Sequence, residues 1–218
     1  MAIFNLTNME RPITKDYHIF NLYRYLEQDT SYNLENVVSE FTLDKNKCLY
    51  KPPTQHLFIY EVINGAIKLG SYTLDGKEFV YDVVSSNDFI GNLKYLNNQF
   101  FEFAKTLTST RLRAYKLSFF KKVIIEEPRI SEWFISYLVQ RWCTAEKKLR
   151  KINEKSTTEK LRFLMAYLDK SIEDAEGNLH VLYDLLTQKD LGDFIGATRQ
   201  TVATALKKNQ SIFPKIPG

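Results

Sequence analysis

Residues 187–206 read TQKDLGDFIGATRQTVATAL, and the reading of this stretch decides how the chain is organised. Thr187 is placed to cap a helix, and Asp190 answers it three positions on, a spacing that satisfies two otherwise unpaired backbone donors. Leu191, Phe194 and Ile195 supply the apolar face of that helix at three- and four-residue steps. Gly192 is small where two helices must cross closely, and Gly196 stands where the chain must turn sharply, in a left-handed conformation that costs glycine little. Thr198 is a natural N-cap for a second helix, which Val202, Ala205 and Leu206 return to the core. The spacing predicts a helix-turn-helix with Arg199 and Gln200 pointing outward from the first turn of the second helix.

In such a motif the second helix enters the major groove of DNA and its N-terminal side chains meet base edges. Arg199 can donate to guanine O6 and N7, and Gln200 can pair with adenine N6 and N7. Thr187, Gln188, Thr198, Thr201, Thr204, Lys207 and Lys208 are the further candidates for phosphate or base contacts. An ordinary helical hairpin is the alternative, and the exposed Thr-Arg-Gln speaks against it. The charge agrees with a nucleic-acid partner. The net charge of +4 is mild, but residues 141–162 carry eight bases against three acids, and residues 187–218 carry five against two. A basic C-terminal third is what a phosphate-facing surface needs.

Working upstream, Glu126-Glu127-Pro128 is a good helix start, because acids suit the positive end and proline fits the first turn. Ile130, Phe134, Tyr137, Leu138, Arg141, Ala145 and Leu149 then follow helical steps, and Trp133 and Trp142 add a second apolar stripe. A helix apolar on two sides needs two surfaces, and the expected pair is its own sheet domain and the same helix of a second subunit, the alternative being a single wide core face. The expected dimer seam is Ile130, Phe134, Tyr137, Arg141 and Ala145, near a 3.5-residue repeat, with Arg141 requiring a carboxylate or carbonyl to meet it. Ser156 and Glu159 predict a capping box opening a helix over 159–171, with Leu161, Leu164, Met165 and Leu168 on its apolar face. Glu176-Gly177-Asn178 is a turn, followed by a short apolar stretch over 181–186.

Residues 37–117 change to a period of two. Segments 58–63, 67–69, 78–84 and 106–117 are rich in β-branched and aromatic residues, and Asn64-Gly65, Asp75-Gly76, Ser86-Asn87-Asp88 and Asn97-Asn98 punctuate them. Short strands with regular turns predict an antiparallel sandwich or barrel. Residues 14–30, with Phe20, Tyr23, Tyr25 and Leu26, predict a preceding helix.

The 218 residues are 44% hydrophobic and 26% charged, as in ordinary globular chains. No run of 18 apolar residues offers a membrane span, and the N-terminus lacks a basic start followed by an apolar stretch, so neither a membrane nor a signal peptide is expected. Cys48 and Cys143 are too few for a disulfide framework or a four-cysteine site, so a reducing cytoplasm is the expected home, with both read as buried small apolar residues. His18, His56 and His180 are scattered, so no metal, no cofactor and no enzymatic activity are expected.

A β-domain, a long helix and a helix-turn-helix, in that order over residues 37–206, resemble the Crp-Fnr family of bacterial transcription regulators. The front half carries the resemblance in Val62-Ile63-Asn64-Gly65-Ala66-Ile67-Lys68-Leu69, Asp75-Gly76-Lys77-Glu78 and Asn87-Asp88-Phe89-Ile90-Gly91. It implies an α+β fold: an N-terminal antiparallel β-roll of the jelly-roll, cyclic-nucleotide-binding-like kind with its N-terminal helix (1–127), a long dimerisation helix (128–152) and a C-terminal helix-turn-helix domain (153–218). It further implies a homodimer on the helix over 129–151, double-stranded DNA read by residues 198–208, and RNA polymerase as a further partner. The alternative is a protein-interaction module or small-molecule sensor with weakened DNA binding.

The sequence departs from the family in three places. Where members open the recognition helix with Arg-Glu and place a second Arg four residues later, this chain has Arg199-Gln200 and Thr204. Residues 209–218, NQSIFPKIPG, hold two prolines where members form a β-hairpin wing, so the wing is expected to be truncated or absent. The Gly-Glu-Leu of cyclic-nucleotide-binding relatives is Gly91-Asn92-Leu93 here, and the phosphate-binding arginine position falls at Glu102, followed by Phe103 and Ala104. A carboxylate about 4 Å from a phosphate repels it by roughly 4 kcal/mol at an effective dielectric near 20. No binding of cyclic AMP or cyclic GMP is expected at this degenerate pocket. Its effector is either absent or an uncharged or cationic molecule.

Overall fold

The computed structural model describes residues 20–53, 57–95, 102–153 and 156–209. Eight strands form two antiparallel sheets: β1 (Val38–Leu43), β2 (Cys48–Tyr50), β3 (Phe58–Asn64), β4 (Ala66–Tyr72), β5 (Glu78–Ser85), β6 (Phe89–Ile90), β7 (Phe103–Thr106) and β8 (Thr110–Lys116). One sheet runs β1-β8-β3-β6 and the other β2-β7-β4-β5, which is the predicted roll. Val62, Ile67, Leu69, Val84, Ile90, Ala104 and Leu112 are buried between them. Asp75-Gly76 closes the β4–β5 hairpin, with the Thr73 amide donating to the Lys77 carbonyl at 2.9 Å. Asn64-Gly65 does something else, since β3 and β4 lie in different sheets. It is a corner: Gly65 has φ +98°, and a Cβ there would stand 2.6 Å from Thr110 Oγ1.

Helix α1 (Leu22–Glu27) is capped by Asn21, whose Oδ1 accepts from the Arg24 amide at 2.8 Å. It is shorter than the 14–30 segment expected, of which residues 14–19 lie outside the described residues. Strand alternation ends at Lys116, and α2 (Leu117–Glu126) follows where strand character was expected to reach Leu117. Pro128 opens α3 (Pro128–Ile152) as anticipated. Leu22, Leu26, Phe119, Phe120, Val123, Ile130, Trp133 and Phe134 then form one core with Ile59, Phe89 and Tyr115 of the roll.

Ser156 caps α4 (Thr157–Leu168), its Oγ accepting from the Glu159 amide. The helix stops at Leu168 rather than 171, because Ser171 enters β9 (Ser171–Glu173), which pairs with β10 (Leu179–Val181) across the Gly177 turn. Residues Leu182–Leu185 form a 3-10 turn leading to α5 (Gln188–Ile195) and α6 (Arg199–Lys208). These C-terminal elements share a core with the roll: Ala66, Val80, Val83, Phe103 and Leu107 cluster with Leu161, Leu164, Leu191, Phe194, Val202 and Leu206. Cys48 is exposed, against expectation, because it sits on the three-residue edge strand β2, and Cys143 is half-buried. His180 meets Asp174 at 2.7 Å, while His18 and His56 lie outside the described residues. The expected Asn97-Asn98 turn and the wing position after Asn209 also lie outside them.

Candidate nucleic-acid interface

The start of α5 is held by a reciprocal pair. Thr187 Oγ1 accepts from the Asp190 amide at 3.1 Å, and Asp190 Oδ2 accepts from the Thr187 amide at 3.0 Å. Asp190 also pairs with Lys68 of β4 at 2.8 Å. Burial alone would raise its carboxyl, but the hydrogen bonds from Lys68 and Thr187 outweigh that and hold it below the usual range. Gly196 takes φ +65°, as the turn requires. A Cβ on Gly192 would stand 2.6 Å from the Ala197 carbonyl oxygen, so only glycine lets α5 and the turn approach this closely.

Thr198 Oγ1 accepts from the Thr201 amide at 3.1 Å and starts α6. Val202 and Leu206 anchor one side of α6 in the core. Arg199, Gln200, Thr201, Thr204, Lys207 and Lys208 stand exposed on the rest, and Thr198 is exposed at its cap. Thr204 donates its hydroxyl to the Gln200 carbonyl at 2.9 Å. At the head of α5, Thr187 is exposed and Gln188 half-buried. The spacing of the motif did not reveal that Thr157 and Thr158 of α4 lie beside this face. With Gln200, Thr201, Thr204 and Lys208 they line a groove of about 390 Å³. The only sequence signal was a pair of cap hydroxyls inside the basic segment.

Among the described residues, those expected around a degenerate effector pocket have different surroundings. Glu102 is buried, and its two oxygens accept from Tyr50 at 2.5 Å and from the Tyr81 hydroxyl. Burial raises the Glu102 carboxyl, and the two phenols only partly offset it. Ala104 faces the roll interior, whereas Phe103 faces the core shared with α4, α5 and α6, as neighbours on a strand must. Asn92 is buried and accepts from the Lys94 amide at 2.7 Å, Leu93 packs toward α2 and α3, and Gly91 has φ +119°.

A separate cleft of about 970 Å³ lies between β5, α3, α4 and α5. Across it, Asp82 pairs with Arg141 at 3.3 Å and with Lys148. Arg141 also donates to the Phe89 carbonyl at 3.0 Å, and Tyr137 bonds both polar groups of the Phe89 backbone. Arg141 thus has the carboxylate and the carbonyl it needed, but both come from its own roll. The expected seam is corrected accordingly. Ile130 and Phe134 are 0% and 7% exposed and pack on the roll with the half-buried Tyr137, so these residues, like Arg141, spend their contacts on their own roll. The outward stripe is Ile135, Leu138, Trp142, Ala145 and Leu149, all exposed, at alternating steps of three and four. Ala145 alone belongs to both sets. Among the described residues no group of His, Cys, Asp or Glu is arranged to hold a metal ion. No described helix is long and apolar enough to cross a membrane.

A two-sheet roll, a long helix with one bare apolar stripe and an exposed second helix of a helix-turn-helix define a roll-and-helix-turn-helix architecture. In sequence and in fold the chain resembles the Crp-Fnr family of transcription regulators. Over 150 residues it is 26% identical to the CRP-like cAMP-activated global transcriptional regulator of Mycobacterium tuberculosis, covering 68% of this chain and 66% of that protein. Over 169 residues it is 24% identical to the global nitrogen regulator of Synechococcus elongatus, covering 75% of each. The chain thus spans about two thirds of the length of the first of these relatives. Among solved structures, FixK2 of Bradyrhizobium japonicum aligns with a TM-score of 0.64 at 18% identity, over 80% of this chain and 85% of that one. A CooA variant of Carboxydothermus hydrogenoformans aligns with a TM-score of 0.63 at 18% identity, over 89% and 86%. No protein-family profile matches the chain.

Proposed function

We propose that this chain is a DNA-binding transcription regulator that reads a two-fold-related site as a homodimer and does not respond to cyclic nucleotides. The observation that carries the reading is α6. Its inner side is anchored by Val202 and Leu206, and its outer side presents Arg199, Gln200, Thr201, Thr204, Lys207 and Lys208 to solvent. These are groups that suit base edges and phosphates. Dimerisation through Ile135, Leu138, Trp142, Ala145 and Leu149 brings two such helices together about a two-fold axis. Glu102 supports the lack of a cyclic-nucleotide response, since a buried carboxylate bound by two phenols has neither the charge nor the donors to hold a phosphate. Such a regulator works in the cytoplasm, catalyses no reaction of its own and has RNA polymerase as its onward partner.

The test is selection of bound sequences from a random DNA pool, followed by titration of the winner at several salt concentrations. The expected result is a pair of inverted half-sites about one helical turn apart, bound with a negative salt slope. A protein adaptor without a DNA role enriches nothing and shows no salt-dependent binding, and that outcome would replace the proposal.

A further inference from the structure

Among the described residues β5 is an edge strand, with a row of backbone groups that no further described strand satisfies. Helix α5 covers part of that edge. Asp193 Oδ2 accepts from the Val80 amide at 3.1 Å, and Lys189 Nζ donates to the Glu78 carbonyl at 2.7 Å and to Asp193 at 2.8 Å. Lys68, one strand inward on β4, reaches Asp190 at 2.8 Å, with both side chains largely out of solvent. A second anchor joins the same two halves of the molecule. The Gly65 amide donates to the Glu173 carbonyl at 2.8 Å, and the Ala175 amide donates to the Ser109 carbonyl at 3.0 Å, tying the β9–β10 hairpin to the roll's corner. One anchor leaves a hinge, whereas two on different elements, with a shared apolar core between them, leave little freedom of rotation.

The docking does not mask the reading face. The outer side chains of α6 stay exposed, and it is α5 that lies against β5. An inhibitory contact would cover Arg199 and Gln200, and this one leaves both bare. We infer that the roll is a fixed mount for the DNA-reading pair, and that Lys68, acting through Asp190, is a positioning residue for recognition. The path is short. Asp190 is also the residue that completes the cap of α5, and the Ala197 amide, donating to the Gly192 carbonyl at 2.9 Å, ties α5 to the turn that leads into α6. In a dimer, the posture of each α6 fixes which separation of half-sites both can reach at once.

This inference rests on the DNA-binding reading, and its test separates the two. The full-length protein is titrated against its selected site, against sites with the central spacer changed by one or two base pairs, and against sites with one half-site base changed. One base pair rotates a half-site by roughly 35°, so a rigid mount discriminates sharply between spacers. Lys68→Met is expected to lower the spacer discrimination about tenfold, the scale of one lost charged hydrogen bond. Half-site base preference stays unmoved, because no base-contacting group changes, and Lys68→Arg retains the wild-type ratio. A folded Lys68→Met protein with wild-type spacer discrimination overturns the inference. If Lys68→Met fails to fold, Lys189→Ala removes the contacts to Glu78 and Asp193 from an exposed position, and unchanged discrimination there overturns it equally. If the wild-type protein binds no DNA site, the functional reading fails by itself. Hydrogen exchange at the Val80 and Gly65 amides then judges the mount: slow exchange that speeds up in the variant supports it, and fast exchange in the wild type overturns it.

Discussion

Arg199 stands exposed one residue past the Thr198 cap, the position from which the proposed reading has it meet a base edge. Arg199→Ala is expected to lose about 1–3 kcal/mol of specific binding and to relax the preference for one guanine per half-site. Lys207→Ala is expected to weaken all sequences alike and flatten the salt slope by about one. Quantitative titration over a base-substituted site series at several salt concentrations separates the two, and an intact base preference in Arg199→Ala would remove α6 from the groove. These residues were legible in the sequence because their signals are local: Thr187 with Asp190, Gly196, and Thr198 with Thr201 all lie within a few positions of one another. Glu102 was legible as a lost arginine but not as a buried group, since its partner Tyr50 lies 52 positions away. Burial puts the folded carboxyl above its unfolded value. In the window between the two values the folded state binds more protons, so this group's contribution to stability falls as pH rises. Relative to wild type, Glu102→Gln is therefore expected to gain stability in urea titrations as the pH rises above the ordinary carboxylate range. Calorimetry with cyclic AMP is expected to give no binding heat with either protein, and saturable micromolar binding to the wild type would reverse that reading.

At the scale of the element, α3 carries two apolar stripes, and periodicity alone does not say which faces inward. Ile130, Trp133, Phe134 and Tyr137 pack on the roll, while Ile135, Leu138, Trp142 and Leu149 stand bare. That two surfaces were needed was readable from the sequence; the phase of the seam was decided by contacts to Phe89 and Asp82 that lie some 50 residues away. Substitutions tell the stripes apart. Leu138→Asp, on a side chain 46% exposed, is expected to give a folded monomer. Phe134→Asp, 7% exposed within the chain's own core, is expected to cost several kcal/mol and to unfold the protein instead. Sedimentation velocity beside circular dichroism reads both, and a Leu138→Asp protein that stays a dimer would move the interface off this stripe. Helix α2 and the β9–β10 hairpin were not legible for a different reason: α2 follows β8 directly with no side-chain cap to mark its start, and β9 and β10 are three residues each, too short to show a period.

At the scale of the whole molecule, the C-terminal segment is not a free domain on a tether. The order of roll, long helix and helix-turn-helix was legible from where the hydrophobic period changes. The docking was not, because Ala66, Val80, Val83, Phe103 and Leu107 read equally well as interior roll residues. Instead they join Leu161, Leu164, Leu191, Phe194, Val202 and Leu206 in one core. A core shared this way makes unfolding of the reading helices expose the outer face of the roll, so the two parts stabilise each other and should melt together. The chain holds two tryptophans, and Trp142→Phe leaves Trp133 as a reporter buried between roll and α3, remote from α6. Its fluorescence and the helical circular dichroism signal are expected to trace one urea transition with one midpoint. Phe194→Ala in the same background removes an aromatic ring from the shared core and is expected to cost about 3–5 kcal/mol. If the core is truly joint, that loss lowers both midpoints equally, although Phe194 belongs to α5 and Trp133 to α3. If the helix-turn-helix were an independent unit, Phe194→Ala would shift only the helical signal and leave the Trp133 transition where it was, and the fixed mount would have no foundation.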